Sequence, residues 1–173
     1  MRSARIISTT AFLLLIFVIQ ESLIARINFP ISGFSLYIAV LMGLISFEDR
    51  DGAIVTGFIG GLILDLSPTI DAPLGQWALV MTAMGYLFSV NRETIGDFAT
   101  RPAALIFFVA LGSATSLFLF LFSGLMLGEN NGAVSKIALT VAGNSLWTVL
   151  FSPLILPVLS KLRALSLSSR DRK

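Results

Sequence analysis

The chain has 173 residues, 55% of them hydrophobic and 13% charged, with a mean hydropathy of +0.90. That is about half the charged share of a soluble domain, so the composition points to one integral membrane domain. The lack of cysteine and histidine excludes disulfides, thiolate nucleophiles, Cys/His metal centres and a histidine base. A net charge of +2 gives no ground for a nucleic-acid partner.

The N-terminus reads Met1-Arg2-Ser3-Ala4-Arg5 before an apolar run, like a signal peptide. The run continues to Ile24, and Leu23 stands where a cleavage site needs a small residue. The reading is an uncleaved first helix, Ile6–Ile24. Five further apolar segments follow: Ile31–Phe47, Ala53–Leu66, Pro73–Val90, Pro102–Leu127 and Ala133–Leu159. A spanning helix needs about 20 residues, range about 17–25. The third segment, Ala53–Leu66, is short for that and calls for shelter by neighbours. In the sixth, Pro153 and Pro157 are expected to kink or end the helix, leaving a basic tail over residues 160–173.

The connections carry turn chemistry. Asn28-Phe29-Pro30 and Ser32-Gly33 precede the second segment, Glu48-Asp49-Arg50-Asp51-Gly52 the third, and Gly128 to Gly132 the sixth. The acidic run at Glu48–Asp51 reads as a solvated turn rather than a metal site. Asp71 stands two residues before Pro73 and is the expected cap of the fourth helix.

The charges orient the chain. With six crossings and a cytoplasmic N-terminus, Arg2, Arg5, Arg50, Arg92, Arg101, Lys161, Arg163, Arg170, Arg172 and Lys173 fall inside, and Arg26 and Lys136 outside. Ten of the 12 basic residues then share the cytoplasmic side, as the positive-inside rule requires. Both termini are cytoplasmic in this arrangement. Trp77 and Tyr37 are expected in the outer aromatic belt and Tyr86 in the inner one.

Within the third segment, Ala53, Gly57, Gly61 and Asp65 recur every four residues. At about 3.6 residues per turn they share one helix face. Small residues allow a second helix to approach closely in lipid, so this stripe is the expected docking face for a partner helix. Under the six-crossing topology Glu21, Arg26 and Asp65 lie in one leaflet, where they either form a polar cluster or sit separately in the wet headgroup zone. Asn144, flanked by Thr140 and Thr148, makes a polar stripe in the sixth segment suited to interhelical hydrogen bonds. Ala110/Ala114 and Gly124/Gly128 are weaker small-residue pairs in the fifth. No G-x-S-x-G, Walker loop or paired carboxylate is present, and no residue set suggests a cofactor. The expectation is a non-enzymatic protein.

The stretch GFIGGLILDLSPTIDAPLGQWALVMTAMGY, residues 57–86, resembles the rod shape-determining MreD family. Members show a glycine-rich helix ending in G-L-x-x-D-L, a short turn, then L-G-x-x-A-L and a later G-Y. Here these are Gly61, Leu62, Asp65 and Leu66, then Leu74, Gly75, Ala78 and Leu79, then Gly85 and Tyr86, with Asp71 in the turn. The resemblance implies a six-helix fold like the substrate-binding membrane components of energy-coupling-factor vitamin transporters. It implies a multi-pass scaffold in the bacterial plasma membrane that serves lateral wall synthesis and cell shape. The implied partners are a single-span MreC-like protein and, directly or through it, MreB, RodA and its transpeptidase. Membrane lipids surround the chain, and a homo-oligomer is compatible with it. The alternative is a vitamin-transporter component itself. Those proteins carry Ala-x-x-x-Ala on the first helix, where this chain has Ala4, Ser8 and then Phe12.

Overall fold

A computed structural model describes residues 2–27, 34–68, 72–95, 102–128 and 134–168. Among them the chain is all-helical. It comprises α1 Arg2–Ser22, a single 3-10 turn Ile24–Arg26, α2 Leu36–Phe47, α3 Arg50–Asp65, α4 Gln76–Ile95, α5 Pro102–Met126 and α6 Val134–Ser168.

The organising element is α2. Its sequence, LYIAVLMGLISF, is apolar on every side, and such a helix is stable only when surrounded. Tyr37, Ala39, Leu41 and Met42 are fully buried, and Ile38, Val40 and Ile45 nearly so. The other five helices form an arc around it in the order α1, α3, α4, α5, α6, each packed on its neighbour and on α2. No extended seam closes the arc between α6 and α1 among the described residues.

The tightest seam joins α3 to α4. A Cβ placed on Gly57 would strike the Met81 carbonyl, one on Gly61 the Trp77 carbonyl and Ala78 backbone, and one on Gly85 the Ala53 carbonyl. As α3 advances four residues, α4 falls back four, so the two helices are antiparallel with backbones nearly in contact. The stripe of Ala53, Gly57 and Gly61 is thus buried within the chain, against α4. This corrects the expectation that it docks a helix of another protein. Small residues that invite close approach are taken by the nearest apolar helix, here one turn away in sequence.

Several boundaries differ from the sequence reading. The second helix starts at Leu36, because Ser35 caps it by accepting from Ile38 N–H at 3.2 Å. The third begins at Arg50 and the fourth at Gln76. The sixth continues through Pro153 and Pro157 to Ser168, so residues 160–168 are helix rather than tail. Both prolines are accommodated within the helix, each leaving out one backbone N–H. Two helical stretches are long and apolar enough to cross a membrane, Ala103–Met126 and Ile137–Lys161. Six full crossings are not met by length alone. With 12 and 16 residues, α2 and α3 reach about 18 and 24 Å at 1.5 Å per residue, against a hydrocarbon core of about 30 Å.

Candidate functional site

Short helices that stop among apolar neighbours leave backbone N–H groups to be satisfied. This chain meets that need with side chains reaching across from the preceding helix. At the end of α3, Asp65 turns its carboxylate onto the start of α4. Its Oδ1 accepts from Trp77 N–H at 2.9 Å, and its Oδ2 from Gly75 N–H at 2.9 Å and Ala78 N–H at 3.1 Å. Gly75 can present its N–H there because its backbone is left-handed, φ +99°, a conformation glycine adopts without steric cost. A negative group on a helix N-terminus also meets the positive end of the helix dipole.

The first helix does the same for the second. Gln20 Oε1 accepts from Leu36 N–H at 2.9 Å and from Tyr37 N–H at 3.4 Å. Its neighbour Glu21 accepts from the Ser67 hydroxyl at 2.9 Å, tying α1 to the α3–α4 turn. Deeper in, the Tyr37 hydroxyl donates to the Gly60 carbonyl at 2.9 Å, and Phe17 packs edge-on against the Tyr37 ring. Gln76 and Trp77 then carry the network to α5. Gln76 Nε2 donates to the Phe120 carbonyl at 2.8 Å and Ser123 Oγ at 2.9 Å, while the Trp77 indole stacks on Phe120 at 4.1 Å.

All these contacts lie at one end of the bundle, the capped end. The opposite end holds the α2–α3 turn. There Asp49, Arg50 and Asp51 are exposed, and the Arg50 guanidinium sits 5.8 Å over the half-exposed Tyr86 ring. A cleft of about 230 Å³ opens beside that turn, lined by Ile6, Thr9, Glu48, Asp49, Asp51, Gly52, Val55 and Thr56. Among the described residues no group of three or more carboxylates is arranged to hold a metal ion.

The sequence-derived site residues are therefore redistributed. Asp65 is held by three backbone N–H groups and not by a cluster. Glu21 bonds Ser67, and Arg26 is exposed, with no ion pair joining Glu21, Arg26 and Asp65. Leu66 and Leu74 are exposed at the capped end, and Gly75 is part of the cap, its N–H donated to Asp65. Asp71 lies outside the described residues, and the cap expected from it is supplied by Asp65. Tyr37 and Trp77 are core residues, 0% and 3% exposed, not members of a lipid-facing belt. Asn144 and Thr148 are buried in α6 and linked to each other at 3.4 Å within that helix. Sequence reasoning gave Gln20 and Gln76 no capping or clamping role. An isolated glutamine at the end of an apolar run is the signal that would have found both.

No protein-family model, curated protein or solved structure matches the chain.

Proposed function

We propose that this chain is a multi-pass scaffold of the bacterial plasma membrane, similar in role to the MreD family, that holds a single-span partner in the cell-elongation machinery. The observation that carries this reading is the use made of the motif. Gly61, Asp65, Gly75, Ala78 and Gly85 converge on one hairpin, and the motif's carboxylate is engaged through both oxygens by backbone N–H groups. A pattern whose polar member is committed to fixing geometry serves architecture rather than turnover or cargo.

The alternation of helix direction supports six crossings. It sets Arg2, Arg5, Arg50, Arg92, Lys161 and Arg163 toward one end and Arg26 and Lys136 toward the other, the asymmetry the positive-inside rule describes. The short α2 and α3 fit the same reading, since their recessed ends are capped by protein groups. With its glycine stripe turned onto α4, the hairpin presents Phe58 on α3 and Leu79, Leu87 and Val90 on α4 outward. The partner helix is assigned to that flank.

The test is copurification from detergent, comparing the parent with Phe58→Ala/Leu79→Ala. A dominant single-span partner that is weakened by the double substitution supports the scaffold. Copurification of a small vitamin or an ATPase module instead would replace it with the transporter-component reading.

A further inference from the structure

The seam between α4 and α5 at the capped end is incompletely satisfied. Gln76 is 7% exposed and Trp77 3%. Although Gln76 Nε2 makes two hydrogen bonds, its Oε1 has no partner, and neither has the indole Nε1 of Trp77. Buried polar atoms without partners are uncommon, because each gives up its hydration without return. Both orphans belong to side chains that meet the same residue: Gln76 bonds the Phe120 carbonyl, and Trp77 stacks on the Phe120 ring. Both side chains therefore border the part of α5 that carries Phe120 and Ser123. At the other half of the seam, a Cβ on Gly112 would run into Met42 and Phe88, so α5 is closely seated there and has a fixed point about which to move.

We infer that the α4–α5 seam at the capped end is a polar joint that opens transiently, α5 withdrawing at Phe120–Ser123 so that water reaches Gln76 Oε1 and Trp77 Nε1. The closed form carries the cost of two dehydrated groups, and the open form recovers it. Opening of this kind is sub-global and leaves the rest of the bundle intact.

The joint makes a prediction whose sign is diagnostic. The Ser123 hydroxyl also donates to the Phe120 carbonyl at 2.8 Å. Gln76→Met therefore removes an orphan without making a new one, since Phe120 keeps a donor and Ser123 an acceptor. If the orphan drives opening, Gln76→Met tightens the seam. If Gln76 is only a clamp, losing its two bonds loosens it.

The readout is hydrogen exchange of the Trp77 indole N–H in full-length protein carrying Trp147→Phe, which leaves one indole of the two in the chain. In this parent the indole proton should exchange well ahead of the α2 backbone amides. Gln76→Met should slow it about tenfold, equivalent to about 1.4 kcal/mol, with α2 protection unchanged. An unchanged or faster rate in Gln76→Met overturns the joint. Should that variant fail to fold, the parent alone decides: an indole proton as protected as the α2 amides also overturns it.

Discussion

Asp65 and Trp77 are joined across the α3–α4 turn, the carboxylate Oδ1 accepting from the Trp77 backbone N–H at 2.9 Å. Twelve residues apart in sequence, they fix where α4 begins and how it faces α3. Replacing Asp65 by Ala leaves three N–H groups without acceptors. Loss of an N-cap costs about 0.5–2 kcal/mol, and groups left dry add about 1–3 kcal/mol. Asp65→Ala should fall in thermal stability in detergent by several degrees. Asp65→Asn, which keeps one acceptor oxygen, should fall between it and the parent. Equal melting of all three would show that the cap contributes nothing.

The glycines should separate by what stands opposite them. Gly57→Ala and Gly61→Ala drive a methyl into the α4 backbone, which cannot yield without separating the helices. Gly43→Ala meets the ends of the Leu156 and Leu159 side chains, which can turn aside. Overpacking costs about 1–3 kcal/mol, so the first two variants should lose most of their folded yield while Gly43→Ala stays near the parent. Size-exclusion profiles of detergent-solubilised protein would read this, and a Gly61→Ala profile like the parent's would contradict it.

Tyr37→Phe removes one hydroxyl from the centre of the bundle and nothing else. The Gly60 carbonyl loses this donor. The expected loss is about 0.5–1.5 kcal/mol, visible as a small drop in melting temperature with unchanged helix content by circular dichroism. A larger loss, or a change in helicity, would mean that Tyr37 does more than bridge α2 and α3.

Topology can be read with introduced thiols, since the chain has no cysteine of its own. Leu74→Cys at the capped end should react with an impermeant maleimide on intact cells. Asp51→Cys at the opposite end should react only after permeabilisation. Labelling of both from the same side would remove the six-crossing arrangement.

The existence of six helices followed from apolar run length, because a backbone surrounded by apolar groups has few options other than helix. The face shared by Ala53, Gly57 and Gly61 also followed from spacing. What covers that face did not, because a stripe of small residues carries no address. The caps were hidden for a related reason. Local rules look for a capping side chain immediately before the helix, and Asp71 fitted them. Asp65 and Gln20 act from the preceding helix, through contacts that exist only once the helices have packed. Pro153 and Pro157 were expected to kink or end the sixth helix, and it does not end there but runs on to Ser168.

The helix at the centre of the bundle is the second to leave the ribosome. Of the five elements that enclose α2, only α1 precedes it. Its apolar circumference has most of its covering only once α3 to α6 have been made. Assembly therefore proceeds by wrapping later segments around an early one, and a chain halted before α6 would expose Gly43 and the groove that receives Leu156 and Leu159. Loss of the stretch that carries Leu156 and Leu159 thus strips packing from the heart of the molecule, not merely from its edge.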